Sequence, residues 1–218
     1  MKIVLLGLPG AGKGTQAQAI SPYLRLCYVS SGNLFRDNQS QGTELGLLAK
    51  GYMERGELVP DEITTQMVLE RIRDMDCSQG FVLDGFPRTL RQATTMDQAL
   101  GMNGIDFVLY IKVGDEELTR RLSGRLSCRK CGMPFQRDGL LSGITYCPSC
   151  GGELYQRSDD QPDVIQRRLQ VQLPELIQLV EYYGTQKKII EINGEQDVEG
   201  VEREIRQGLA EYASSPLT

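Results

Sequence analysis

The chain has 218 residues, of which 40% are hydrophobic and 24% charged, and carries a net charge of −5 from 24 basic and 29 acidic side chains. That balance fits one large globular domain with small insertions and excludes a disordered or fibrous chain. It also argues against a broad nucleic-acid-binding face, and no apolar run approaches the roughly 20 residues that a membrane-spanning helix needs. Histidine is absent, which removes every Ser-His or Cys-His nucleophile and every histidine-bound metal. Met1–Leu6 opens like a signal peptide, but Gly7, Pro9, Gly10 and Lys13 interrupt it and no small-residue cleavage site follows. A cytoplasmic protein without a membrane partner is expected.

In chain order, Lys2–Leu6, Leu26–Ser30, Gly80–Asp84, Asp106–Lys112 and Lys188–Asn193 read as strands. They are apolar without alternation, as in a parallel sheet covered on both faces. Helical patterns lie between them. Asp61, after Pro60, caps a helix to about Met75. Asp115 caps one to about Arg125, and Gln161-Pro162 opens a long one that Pro174 should kink or break. Strand–helix alternation gives a doubly wound α/β fold with five parallel strands. Two segments depart from the pattern: 31–59, helical and glycine-rich, and 126–161, rich in Cys and Gly. The expected division is a core of 1–30, 60–125 and 162–218 with these two inserted subdomains.

The first strand runs into Gly7-Leu8-Pro9-Gly10-Ala11-Gly12-Lys13-Gly14-Thr15, with the spacing of a P-loop. Its glycines let successive N–H groups converge on an anion. The following helix adds its positive N-terminal dipole, and Lys13 reaches the phosphates. The Ser or Thr usual after the lysine is Gly14 here, with Thr15 one place on. This loop alone leaves regulatory GTPases, motor ATPases, nucleotide kinases and other phosphotransferases open. The third strand ends in Asp84-Gly85-Phe86-Pro87-Arg88, at the edge where α/β sheets hold ligands. Asp84 is placed to hold magnesium directly or through water. Arg88 and Gln92, four apart, would face one ligand from a helix starting at Thr89.

Cys128-x-x-Cys131 and Cys147-x-x-Cys150 have zinc-ribbon spacing, each pair followed by a glycine that permits the tight turn. Two dithiols or disulfides are the alternative reading. With four protein ligands the site has no open position, so its role would be structural. The apolar side chains available there (Met133, Phe135, Leu140, Leu141, Ile144, Tyr146 and Leu154) are too few for a core, which suits a metal staple. Cys27 and Cys77 read as buried or incidental.

Taken together, Gly7–Thr15, the segment Tyr28–Arg36, Asp84–Arg88 and Gln156–Asp160 resemble the corresponding motifs of the adenylate kinases, in order and over essentially the whole chain. The resemblance implies a long-lid member that transfers a phosphoryl group from MgATP to AMP, giving two ADP, with a structural zinc ion, as a monomer. It assigns Gly10, Ala11, Gly12, Lys13, Gly14, Thr15, Arg121, Arg125, Pro134, Phe135 and Gln196 to ATP. It assigns Ser31, Arg36, Glu57, Leu58, Val59, Gly85, Arg88, Gln92, Arg157 and Arg168 to AMP. Lys13, Asp84, Arg88, Arg125, Arg157 and Arg168 would act on the transferring group. Such chemistry needs no general base, because the attacking phosphate oxygen is already anionic. Arg121 and Arg125 would share one helical face, while Arg120 and Arg167 face elsewhere. The chain departs from the pattern at Ser31, where threonine is usual, at Asn33, where aspartate is usual, and at Leu126, where a second arginine is common. A UMP or CMP kinase, or a non-catalytic nucleotide switch, is the alternative.

Overall fold

A computed structural model describes residues 1–101, 104–139 and 144–214. Leu140 and Leu141, counted above among the apolar residues of the insertion, lie outside the described residues. Strands β1 (Lys2–Leu6), β2 (Cys27–Ser30), β3 (Phe81–Asp84), β4 (Phe107–Lys112) and β8 (Ile189–Asn193) form one sheet in the order β2-β3-β1-β4-β8. All four pairings are parallel. Ile3, Val4, Leu83, Val108 and Leu109 are essentially inaccessible, so the central strands are buried on both faces, as their unbroken apolar runs require. Helices α1 (Lys13–Leu24) and α8 (Val198–Ser214) pack together, as do α5 (Leu90–Leu100) and α7 (Pro162–Thr185). None of the described helices is long and apolar enough to cross a membrane.

The first insertion carries α2 (Ser31–Ser40) and α3 (Glu44–Glu54), which pack on each other around a separate small core of Phe35, Ala49 and Val59. Ser30 and Thr43 cap them, each accepting a backbone N–H three residues on. After α4 (Asp61–Arg71) the chain closes with a 3₁₀ turn at Met75–Cys77, so the expected helix to Met75 stops four residues early. The second insertion holds β5 (Arg125–Cys128), β6 (Pro134–Gln136) and β7 (Leu154–Tyr155), an antiparallel sheet in the order β6-β5-β7.

Three expectations are corrected. Helix α6 (Asp115–Ser123) ends at Gly124, and Arg125 opens β5 opposite Gln136, so Arg121 and Arg125 do not share a helical face. Helix α7 runs 24 residues with Pro174 inside it, so of the two outcomes expected at Pro174, a kink or a break, the break does not occur. Cys27 and Cys77 are buried, but they are joined by a disulfide with a Cα–Cα distance of 4.9 Å. The register that pairs Cys27 with Phe81 lays the start of β2 beside the turn leading into β3.

At Gly46, α3 packs tightly against α2. A Cβ there would lie 2.3 Å from the backbone carbon of Asn38. Gly→Ala in an exposed helix ordinarily gains about 1 kcal/mol. Here Gly46→Ala is expected to lower stability instead, as read by the urea midpoint. A gain would show that the two helices are not held at this distance.

Candidate functional site

The C-terminal ends of β1, β2 and β3 open into a cavity of about 400 Å³. Its floor is the loop between β1 and α1. Gly7, Gly10 and Gly12 sit at φ +148°, +90° and +95°, a backbone path that L side chains rarely adopt. Gly12 is the N-cap of α1 and no acidic side chain occupies its first turn, so the helix N-terminus faces the cavity with amides and dipole free for an anion. Lys13 Nζ donates to the carbonyls of Gly7 (2.7 Å) and Leu8 (2.9 Å).

Around this floor stand arginines from four elements. Arg36 comes from α2, Arg88 from the loop after β3, Arg125 from β5 and Arg168 from α7; Arg157, beside the 3₁₀ turn at Ser158–Asp160, completes the set. Arg36 donates to Asn33 Oδ1 (2.7 Å) and Arg88 Nε to the Gly85 carbonyl (2.8 Å). Arg157 Nε donates to Ser127 Oγ (2.7 Å). Arg125 forks onto the fully buried carboxylate of Asp160 at 2.8 and 2.5 Å, and Arg168 reaches the same carboxylate at 2.9 Å and Asp159 at 3.1 Å.

The electrostatics follow from this crowding. Burial, then Arg168, push the Arg88 guanidinium down to about 10. Burial, then Arg36 and Arg125, hold Arg157 well below its ordinary value. Burial opposes ionisation of Asp159, yet Arg168, Arg125, Arg157 and Arg36 bring it down to about 2. Burial depresses Lys13 to about 7; Asp84 opposes the fall and Arg88, Arg168 and Arg125 add to it. The cavity is a concentration of positive charge built before any anion arrives.

Most of the residues assigned from the sequence meet here: Gly10 to Thr15, Arg36, Glu57, Asp84, Gly85, Arg88, Arg121, Arg125, Pro134, Arg157, Arg168 and Gln196 all line the cavity. Arg121 is tied to Glu117 (2.6 Å) and to the Gly194 carbonyl (2.8 Å). Ser31, Leu58, Val59, Gln92 and Phe135 are not among its lining residues. Ser31 is buried and donates to the Gly85 carbonyl (2.6 Å). Gln92, also buried, accepts from Arg88 N (2.7 Å) and donates to Asp61 (2.7 Å), which fixes the backbone at Arg88. Arg120, set aside in the sequence, lines the cavity but is paired with Glu117 and Asp138.

Sequence reasoning missed Asp159, Asp160 and Tyr28. The two aspartates follow Arg157 closely, an acidic pair inside a basic segment that could have suggested a buried clamp. Tyr28 was noted only as the start of the Tyr28–Arg36 segment: its hydroxyl meets Asp84 Oδ2 (3.1 Å) because β2 and β3 pair in parallel. Burial and the Asp84 charge keep this phenol protonated well above its usual range.

In the second insertion the four cysteine sulfurs lie within 4.8 Å of one another, with Sγ–Sγ distances of 3.4 Å (Cys128–Cys150) and 3.7 Å (Cys131–Cys147). The amides of Lys130 and Cys131 point at Cys128 Sγ, and Gly132 and Gly151 both sit at φ +70°. Four thiolates at about 2.3 Å from a tetrahedral ion would be about 3.8 Å apart, so the cluster fits zinc.

With this geometry in view, the family described as adenylate kinase matches residues 5–188. The chain is 47% identical over 205 residues to an adenylate kinase of Alkaliphilus oremlandii, covering 92% of this chain and 94% of that one. It is 45% identical over 216 residues to one from Salinispora tropica (98% and 100%), and 44% identical over 212 residues to one from a Geobacillus species (95% and 97%).

The depressed Lys13 has two consequences. Its folded value of about 7 lies below the ordinary 10.5, so its charge is disfavoured in the free fold. The resulting penalty is fully present below about pH 7 and disappears as pH rises toward 10.5, so this group makes stability rise across that window. A bound polyphosphate favours the charged amine, so nucleotide binding should take up protons, increasingly as pH rises above about 7. Calorimetric titration with an ATP analogue in buffers of different ionisation enthalpy measures this uptake. It should vanish in Lys13→Met; equal uptake in the variant would contradict the assignment.

Proposed function

The chain belongs to the adenylate kinase family and transfers a phosphoryl group from MgATP to AMP, and we propose that the residues of the cavity divide this work as follows. The loop amides of Gly10 to Thr15 and Lys13 hold the β- and γ-phosphates of ATP. Arg121, the backbone at Pro134-Phe135 and Gln196 border its adenosine. Arg36 and Arg88 hold the AMP phosphate, with Ser31, Glu57, Leu58, Val59, Gly85 and Gln92 shaping the AMP side. Ser31 and Gln92 act there chiefly by fixing the backbone at Gly85 and Arg88, to which their hydrogen bonds run. Arg125, Arg157 and Arg168 surround the transferring group.

The observation that carries this reading is the convergence of Lys13 and five arginines on one loop with no general base among them. The attacking AMP oxygen is anionic, so the protein's tasks are alignment and stabilisation of charge on the transferring phosphoryl group. Planar guanidinium forks suit that charge better than ammonium groups. Magnesium bound with ATP would supply neutralisation of phosphate charge. Asp84, at the end of β3 facing Gly14, is the carboxylate placed to meet it. Residues 31–59 are the AMP-binding subdomain and 126–161 the lid, closing over a core of 1–30, 60–125 and 162–218. Their approach is seen where a Cβ at Gly132 would lie 3.0 Å from the Asn33 side chain. Closure of the lid excludes water and so suppresses ATP hydrolysis. We infer a monomer acting in the cytoplasm, as the family resemblance implies.

We assign one zinc ion to Cys128, Cys131, Cys147 and Cys150. With four protein ligands it stabilises the lid without touching phosphate.

A coupled assay with ATP and AMP, CMP, UMP or GMP in turn tests the acceptor. AMP should be preferred, and Lys13→Met should lose at least about a hundredfold in kcat with the fold retained. A better turnover with CMP or UMP would overturn the AMP reading. Elemental analysis should find one zinc per chain, and Cys147→Ser should lower Tm by on the order of 5 °C while partial activity survives in the cold. Absence of metal, with Tm unmoved by chelator, would remove the zinc site.

A further inference from the structure

A P-loop ordinarily carries a serine or threonine hydroxyl immediately after its lysine, and that hydroxyl faces the metal. This chain has Gly14 there. A Cβ at position 14 would lie 3.3 Å from Asp84 Oδ2 and 3.5 Å from the hydroxyl of Tyr28. The tight neighbour is the Asp84 carboxylate, and beside it, at ordinary contact distance, stands a hydroxyl delivered from β2 rather than from the loop. Tyr28 Oη donates to Asp84 Oδ2 at 3.1 Å, and Ser30 Oγ reaches the same oxygen at 3.4 Å. Both bonds fall on Oδ2. Among the described residues no hydrogen bond reaches Oδ1.

We propose that Tyr28 is a positioning residue for MgATP: its hydroxyl replaces the missing P-loop hydroxyl and fixes Asp84 so that Oδ1 is presented to the metal's water shell. This rests on the reading that Asp84 meets the magnesium. The physical reason is rotational. A carboxylate at a strand end has two equivalent oxygens and a soft terminal torsion. Two donors on one oxygen select one orientation before the nucleotide arrives. Tyr28 is well suited to the task because its register opposite Val82 in the β2–β3 pairing fixes its backbone and its ring packs on the main core. Outer-shell partners of this kind are commonly worth ten- to a hundredfold in metal affinity.

The geometry also makes a prediction about two hydroxyls competing for one space. A serine at position 14 would bring a second hydroxyl beside Asp84 while Tyr28 keeps its own there. Once Tyr28→Phe removes it, the serine hydroxyl fits beside Asp84 and should restore the lost function.

The test is calorimetric binding of the non-hydrolysable ATP analogue AMPPNP with and without Mg²⁺, read as the ratio of the two affinities. Tyr28→Phe should lower that ratio about tenfold, with affinity for metal-free AMPPNP and for AMP unchanged and Tm nearly so. Gly14→Ser combined with Tyr28→Phe should recover most of the ratio. An unchanged ratio in folded Tyr28→Phe overturns the proposal, as does an equal loss of all three affinities together with Tm, which marks a packing role. Should Tyr28→Phe not fold, the double variant decides: a recovered ratio supports the proposal, and a ratio as low as that of Asp84→Asn overturns it. Asp84→Asn separates the two readings. If its ratio equals that of the unmutated protein, the magnesium role of Asp84 fails and this proposal with it. If its ratio falls while that of Tyr28→Phe does not, Tyr28 alone is excluded.

Discussion

Mutual repulsion among the cavity's cations is the constraint on which the rest of the structure depends. Lys13, Arg88, Arg125, Arg157 and Arg168 are gathered around one loop with burial working against every charge. Such a cluster is unstable by itself, because in a poorly polarisable interior like charges repel strongly and each has lost its water. The chain answers with the adjacent aspartates Asp159 and Asp160. Asp160, fully buried, is shared by Arg125 and Arg168, and Asp159 lies against Arg168. Removing Asp160 would leave two buried guanidinium groups partly uncompensated, a change of the class that costs about 3–5 kcal/mol.

That clamp also joins elements far apart in sequence. Arg125 opens the second insertion, Asp159 and Asp160 close it, and Arg168 belongs to the long helix of the core. The two ends of the insertion are therefore tied to each other and to α7 by charge. Charge pairing of this kind is directional and is released or strengthened by an incoming anion, whereas a packed apolar seam would not respond to phosphate. The insertion is thus anchored beside the arginine-lined cavity. The repulsion left among Arg36, Arg125 and Arg157 is what a transferring phosphoryl group would relieve.

What the sequence disclosed and what it hid divides along physical lines. The five core strands were legible because burial on both faces demands unbroken apolar runs, and the phosphate loop because its glycines must take φ values other residues avoid. The cysteine cluster was legible because its ligand spacing is local. Arg125 was misplaced because the helical charge pattern continues past Gly124, and only the strand pairing of Arg125 with Gln136 ends it. The Asp160 clamp, the pairing of Cys27 with Cys77 and the bond between Gln92 and Asp61 join residues separated by 8 to 50 positions. Such contacts follow from register and layer packing, to which composition and periodicity are blind.

The lid shows why a cluster of thiols belongs in a protein otherwise held by apolar burial. Among its described residues from Leu126 to Gln156, only Ser127, Cys128 and Cys147 are buried. Its strands are two to four residues long, too short to hold a sheet on their own. A segment so poor in core must borrow free energy from elsewhere. Packing it permanently onto the core would supply that, but would also prevent nucleotide from entering. A metal held by the four thiols would supply stability from within the segment, whether the insertion is open or closed. The thiol cluster and the Asp160 clamp are thus complementary: one, with a metal bound, would order the insertion from within, and the other ties its ends together and to α7 by charge.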